Sequence, residues 1–250
     1  MMLAILAGLL TGFFLGLTGA GGSILTLPAL ILLVGLAPHD AVAATLVSVL
    51  LTALTGIVPH VAAGHVRLRA GAALLAGSAP AALVGGYLGR DLPEPLLMSA
   101  FGGLMVWVAW RMWRKDHDAP RPRASTRRLV LVGAGVGLLS GTLGLGGGFL
   151  IVPALAGPGG LAMQEVAGTA MALVAANAGA GLVGALARLP AVPWHLVLPF
   201  VAASLVGGQV GSRLTARLPA RQIARVFAVV VVVVGAEVLW TWIPRLLPLA

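Results

Sequence analysis

Long apolar runs, separated by short polar segments, make up most of the chain. A helix needs roughly 20 apolar residues to cross a hydrocarbon core of about 30 Å. Each half of the chain has one over-long run followed by three of ordinary length, so the pattern predicts an all-α integral membrane protein. The runs are 3–36, 41–61, 70–89, 95–113, 129–156, 166–187, 194–211 and 223–242.

The two halves are copies of one unit. At an offset of 125, ten of the 23 positions from Gly8 to Leu30 carry the same residue in the second half. The match continues after a one-residue gap, and it reappears at an offset of 122 between 83–89 and 205–211. Self-similarity over the whole length indicates a duplication. The predicted parts are a first membrane repeat (1–113), a basic linker (114–128) and a second membrane repeat (129–250).

The basic residues discriminate between two topologies, because Lys and Arg concentrate in cytoplasmic loops. If the first run of each repeat crosses the membrane once, the copies are parallel and one side holds 11 of the 16 basic residues. If that run enters and returns to the same side, the copies are inverted and one side holds 13 of them. The stronger bias favours two inverted repeats, each a re-entrant glycine-broken hairpin plus three transmembrane helices. The protein is then a multi-pass inner-membrane protein with a cytoplasmic linker and periplasmic termini.

Candidate chemistry lies where glycines break the first run of each repeat. Irregular backbone at membrane depth must be buried in protein or line a watery cavity. A helix that restarts there has unpaired N–H groups and a positive dipole end, which attract anions. Inverted copies would bring two such ends together near the midplane. The alternative is that glycine only allows close helix packing. We accept this alternative for the preceding glycines, which occur at spacings of four. The predicted ligands are Gly19, Gly21, Gly22, Ser23, Gly144, Gly146, Gly147 and Gly148.

The span after each break adds polar side chains. Thr45, Ser48 and Thr52 share one face of the first helix, and Thr169 and Asn177 lie on its counterpart. Hydroxyls often bond back to their own helix, so each Ser or Thr has a structural alternative. A carboxamide usually finds another helix or a ligand, which makes Asn177 the strongest candidate.

Composition excludes several classes of function. Charged residues make up 9% of the chain, where soluble domains have about a quarter. The net charge of +9 sits in loops, so the partners are the lipid bilayer and a small anion rather than nucleic acid. Cysteine and metal-ligand spacing are absent, so no cofactor is expected, and homo-oligomerisation is left open.

Two other functions were weighed against transport. An intramembrane hydrolase would use Ser23 or Ser48 with His60, but Gly148 replaces Ser23 in the second copy and no activated pair is recognisable. The other is a non-transporting assembly protein, which would not need two anion-receptor tips. We therefore predict that the chain is not an enzyme.

The doubled Gly-x-Gly-Gly with a proline six residues on, followed by Val-x-x-Thr, resembles the TauE/SafE family of sulfite and sulfonate exporters. The resemblance covers essentially the whole chain. It implies inner-membrane transport of sulfur-containing anions such as sulfite, sulfoacetate or related organosulfonates. The copies differ at Ser23 against Gly148, so they need not contribute equally to a site.

Overall fold

A computed structural model gives the fold. It describes residues 1–18, 21–62, 64–114, 125–143, 147–156, 159, 161, 163–186, 192–215 and 220–246. The described part of the chain is almost entirely helical, which confirms the predicted all-α class. The α-helices are α1 (Met2–Thr18), α2 (Thr26–Pro28), α3 (Pro38–Ala62), α4 (Leu68–Arg90), α5 (Glu94–Arg114), α6 (Thr126–Leu143), α7 (Gly148–Ala156), α8 (Met163–Gly184), α9 (Trp194–Thr215) and α10 (Ala220–Leu246).

Five helices of the described residues are long and apolar enough to cross a membrane, where the sequence predicts six. They are Pro38–Ala62, Arg69–Gly89, Glu165–Gly184, Trp194–Leu214 and Val226–Arg245. The predicted sixth span corresponds to α5, whose apolar part, Glu94–Trp110, is shorter.

The first apolar run of each repeat is broken, as the glycine clusters predict. In the first repeat, α1 ends at Thr18 and is followed by a 3-10 turn (Gly21–Leu25), α2 and a π-helical turn (Ala29–Leu33). We call residues 21–33 the first short segment. In the second repeat α6 ends at Leu143, and α7, with only nine residues, is the second short segment. At 1.5 Å per residue, α7 is about 14 Å long, which is too short to cross a membrane.

Both short segments end in the same hydrogen bonds. The N–H of Val34 donates to Ala29 O and that of Gly159 to Ala154 O. Next to them, the N–H of Leu36 donates to Leu30 O and that of Leu161 to Leu155 O. Donors and acceptors differ by 125 in both cases, so the duplication extends to backbone detail.

The outer surface is largely apolar, and several polar side chains are buried in the protein interior. Trp240 is 82% exposed and Leu131 64%, whereas Ser23, Thr45 and Asn177 are buried. In water this distribution would leave a large exposed apolar surface. It fits a lipid solvent, in which helices are held together by close packing and by hydrogen bonds between them.

Glycine-lined crossings join the two copies. A Cβ on Gly8, Gly12 or Gly16 of α1 would clash with backbone of α9, the last two meeting Ser204 and Gly208. The counterparts on α6 are Gly133, Gly137 and Gly141, which meet Leu74, Ser78 and Ala82 of α4. The contacted residues differ by 126, whereas the sequence match in this helix is at 122. Judged by these contacts, α4 and α9 correspond in a register that is one helical turn away from their best sequence match.

The direction of each helix follows from the order of its contacts. In α3 and α8, Leu46 lies at Gly181, Leu50 at Gly179 and His60 at Gly168, so the two helices are antiparallel. In α5 and α10, Gly102 meets Leu239 and Met105 meets Gly235, so they are antiparallel as well.

A second set of contacts orients α6 and α8. Helix α4 runs parallel to α6, as the glycine crossing shows, and also parallel to α8. For that pair, Gly71 lies at Thr169, Ser78 at Asn177 and Gly86 at Gly181. Helices α6 and α8 therefore point the same way, although only α7 and its flanking residues connect them.

Candidate functional site

Helices α3, α6 and α8 meet at one level in the protein interior. A Cβ on Gly181 would lie 3.3 Å from Leu46 Cδ2 and 3.6 Å from Gly141 Cα. Thr45 adjoins Leu46, Ser140 adjoins Gly141, and Asn177 lies one turn before Gly181. We call this level, with Thr45, Ser48, Ser140 and Asn177, the polar layer.

The start of α7 lies beside this layer. Gly147 precedes α7, and its carbonyl oxygen accepts the N–H groups of Leu150 and Ile151 at 3.0 and 2.9 Å. Gly147 has φ +76, a conformation that side chains disfavour. A Cβ there would also lie 3.0 Å from Ser140 Oγ. Glycine at this position thus satisfies two independent constraints.

Ser140 is a site residue that the sequence analysis missed. Its side chain is buried, and its Oγ has no hydrogen-bond partner among the described residues. A buried hydroxyl normally finds a partner, so an unpaired one beside a helix N-terminus points to a bound ligand or water. The available signal was the replacement of Leu15 in the first copy by Ser140 in the second.

Asn177 links two helices, as the sequence predicts for a carboxamide in a span. Ser78 Oγ donates to Asn177 Oδ1 at 2.8 Å, while Asn177 Nδ2 remains unpaired although Asn177 is fully buried. The bond to Ser78 fixes the side-chain orientation and leaves the amide N–H groups available to another acceptor. Asn177 can therefore act as a preoriented donor.

The three polar residues of α3 divide into two kinds. Thr52 Oγ1 donates to Ser48 O at 2.8 Å, so the structural alternative holds for Thr52. The hydroxyls of Thr45 and Ser48 are buried and unpaired. They resemble Ser140 and Asn177 in this respect, and Thr52 does not.

Thr169 lies apart from the polar layer. Its Oγ1 accepts the backbone N–H of Arg67 at 2.9 Å, and the Arg67 Nε donates to Glu165 Oε1 at 2.7 Å. Eight residues separate Thr169 from Asn177, about 12 Å of helix. The hydroxyl thus stabilises the start of α4, and the structure does not bring Thr169 together with the other predicted ligands.

The predicted tip glycines are only partly described. Gly19, Gly144 and Gly146 lie outside the described residues, Gly21 and Gly22 belong to the 3-10 turn, and Gly148 opens α7. Ser23 is fully buried in the 3-10 turn. This turn contacts α7, so the two short segments meet.

Ser48 and His60 are too far apart in this geometry to form a hydrolytic pair. Ser48 and His60 lie on one helix, twelve residues or about 18 Å apart. His60 instead faces His65, with 6.4 Å between ring centroids, at the far end of α3.

A small cleft lies between Gly141, which adjoins Ser140, and the start of α3. Gly86, Gly89, Gly141 and Thr142 line it together with His39. His39 Nδ1 lies 3.1 Å from Glu94 Oε1, and Nε2 lies 3.2 Å from Leu92 O. Both ring nitrogens are therefore engaged at the mouth of the cleft.

Sequence comparison assigns the family. The profile described as "Sulfite exporter TauE/SafE" matches residues 4–238. The chain belongs to the TauE/SafE family. The match extends from α1 into α10 and includes both short segments.

Curated relatives of this TauE/SafE protein carry transporter names. A "Probable membrane transporter protein" of Xylella fastidiosa strain Temecula1 is 33% identical over 211 residues, covering 81% of this chain and 80% of the relative. "Probable membrane transporter protein YdhB" of Bacillus subtilis is 26% identical, with coverages of 84% and 88%. No solved structure gives a significant match. Together with the helices, the family identifies the chain as a multi-pass membrane transporter.

Proposed function

We propose that this protein transports a small anion out of the cell through the polar layer. The observation that carries the proposal is the unpaired, buried Ser140 hydroxyl beside Gly147, where α7 begins. A helix start offers unpaired N–H groups and a positive dipole end. Thr45, Ser48 and Asn177, which lie within about one helical turn of this level, add three further buried polar groups without a partner among the described residues.

We further propose that the two copies are inverted and that the broken runs re-enter. Equivalent helices related by an axis in the membrane plane run antiparallel, as α3 and α8 do in their contacts. If α6 and α7 together crossed the membrane, α8 would run back against α6. Their parallel directions instead support a return of α7 and its flanking residues toward the side from which α6 entered.

The proposed substrates are sulfite, sulfoacetate or related organosulfonates. Their common feature is an oxoanion head that accepts hydrogen bonds, which fits a layer of hydroxyl and amide donors. The reason for proposing a sulfur-containing anion is the family description, which names sulfite. A membrane potential that is negative inside favours efflux by about 2.3 kcal/mol per charge per 100 mV, so export needs no coupling ion.

Flux from proteoliposomes tests this function. Vesicles loaded with radiolabelled sulfite or 2-hydroxyethanesulfonate should release the label under an inside-negative potential, and protein-free vesicles should not. Asn177→Leu should slow release because it removes a donor and leaves Ser78 unpaired. Thr11→Val is the matched control, since Thr11 is buried and bonds only to carbonyls of its own helix. Absence of release by folded wild-type protein would contradict transport, and unchanged release by folded Asn177→Leu would contradict the site.

Orientation is tested separately in intact cells. The chain has no cysteine, so a single cysteine in the linker gives an unambiguous target for a membrane-impermeant maleimide. We expect protection in intact cells and labelling after lysis. Labelling in intact cells would refute a cytoplasmic linker.

A further inference from the structure

The polar layer contains hydrogen-bonding groups and no formal charge. The helical stretches that form it, 41–59, 129–156 and 166–184, contain no Lys, Arg, His, Asp or Glu. Of the residues that line the cleft, His39 is the titratable one, and its Nδ1 lies 3.1 Å from Glu94 Oε1. A bound anion would therefore be balanced by hydroxyls, amides and one helix dipole.

Such a set of groups discriminates by charge. The cost of removing an ion from water rises with the square of its charge, and an uncompensated buried charge is among the most expensive groups in a protein. The gain from neutral donors rises only in proportion to the charge. A helix N-terminus contributes about half an elementary charge, which is enough to offset part of one negative charge and little of two.

Ser140 is the side chain best placed to act in this selection. It is fully buried, and its hydroxyl has no partner among the described residues. Its Oγ lies 3.0 Å from where a Cβ on Gly147 would be. An anion seated at the start of α7 would thus have the Ser140 hydroxyl beside it. The Asn177 amide lies about one helical turn away on α8, where Ser78 orients it.

We infer that the layer selects singly charged oxoanions over doubly charged ones and that Ser140 is a ligand for the transported ion. This inference rests on the proposed function and narrows it. Hydrogensulfite and monosulfonates would be carried, and sulfoacetate, sulfate and the sulfite dianion would be carried poorly.

Two organosulfonates of similar size provide the test. 2-Hydroxyethanesulfonate carries one charge and sulfoacetate carries two at neutral pH. At zero membrane potential, proteoliposomes should release the first at least about tenfold faster, a factor that corresponds to roughly one charged hydrogen bond. Equal or faster release of sulfoacetate would overturn the charge selection. Release of neither anion would overturn the proposed function itself.

The pH dependence of sulfite flux provides an independent check. Hydrogensulfite loses its proton near neutral pH, so sulfite release should fall as pH rises through that range. 2-Hydroxyethanesulfonate keeps one charge throughout, so its release reports any effect of pH on the protein itself. Sulfite release that stays constant or rises relative to this control would contradict the inference.

Ser140→Ala tests the ligand. It should weaken 2-hydroxyethanesulfonate binding by about tenfold, the loss expected for one hydrogen bond to a charged group. Ser99→Ala is the matched control, because Ser99 also has a buried, unpaired hydroxyl but lies on α5, outside the layer. Calorimetric titration of the detergent-solubilised protein measures both. Wild-type affinity in folded Ser140→Ala would overturn the role of Ser140, and an equal loss in Ser99→Ala would show that the effect is not local.

Discussion

The two copies share their scaffold and differ in their polar groups. The glycine-lined contact between α1 and α9 recurs between α6 and α4. In the related contacts of α8 with α4 and of α3 with α9, Asn177 accepts a hydrogen bond from Ser78, whereas Thr52 donates to its own helix. Ser140 of the second copy faces the start of α7, and the first copy has Leu15 in its place. The glycine packing is thus common to both halves, whereas the donors around the broken helices differ.

The largest expected effect comes from the packing that both copies share. Gly12→Leu and Gly137→Leu each place a side chain on a backbone carbonyl, that of Ser204 or Ser78, which cannot move aside. We expect each to cost about 3 kcal/mol or more and to abolish folded protein in detergent. Size-exclusion chromatography of the solubilised protein measures this. Gly135→Leu is the control, since nothing lies within 4 Å of its Cβ position. A normal elution profile for either crossing variant would refute its role.

The second effect separates the tip of the second copy from an ordinary helix end. Gly147→Ala and Gly35→Ala both force alanine into positive φ, at +76 and +82, at a cost of about 1–2 kcal/mol. Only Gly147 also has a neighbour, Ser140, whereas a Cβ on Gly35 meets nothing within 4 Å. We therefore expect Gly147→Ala to lower the unfolding temperature more. Equal losses would mean that Ser140 does not constrain this position.

The third effect compares the two polar pairs directly. A double-mutant cycle on Ser78 and Asn177 should give a coupling energy of about 1 kcal/mol. The cycle on Thr52 and Ser204 should give almost none, because their oxygens are 3.5 Å apart and each hydroxyl already donates to its own helix. Denaturation of the alanine variants in detergent measures both. Similar couplings would remove the asymmetry between the copies.

The smallest effect concerns the ion pair between Arg67 and Glu165, which joins the first half of the chain to the second. Glu165 of the second copy pairs with Arg67 of the first, whose side chain is 57% exposed. Glu165→Gln should therefore cost less than about 1 kcal/mol, and the cost should vanish at high salt. Thr169→Val removes the buried acceptor for the Arg67 N–H, so its cost should persist in salt. A salt-independent cost for Glu165→Gln would contradict this view of the pair.

Much of the fold could be predicted because lipid imposes simple rules on sequence. Apolar length predicts the spans, and five of the six predicted spans are helices long and apolar enough to cross a membrane, whereas the apolar part of α5 is shorter. Repeated glycines predict close helix packing, and the glycine contacts of α1 and α6 confirm it. Helices α4 and α9 are equivalent, but their glycine contacts align them one turn away from their best sequence match. Gly85-Gly86 and Gly207-Gly208 look alike in sequence, so packing alone decides which positions correspond.

The site was predicted less completely, because a polar residue in a span has several destinations. Asn177 was identified through its chemistry, which demands a partner outside its own helix. Thr169 was grouped with it by sequence match, yet its hydroxyl accepts from Arg67. Ser140 precedes the glycine cluster as one serine among many small residues. Only its burial and missing partner reveal it.

The most direct test of the central claim places a reactive group at Ser140. Ser140→Cys introduces the only thiol in the chain, and a small anionic methanethiosulfonate can report its accessibility. If the ion passes the start of α7, the thiol in proteoliposomes should be labelled, and saturating 2-hydroxyethanesulfonate should slow the labelling. Ser99→Cys should show no such protection. Labelling of Ser140→Cys at the same rate with and without the sulfonate, or no labelling at all, would contradict an anion pathway through the polar layer.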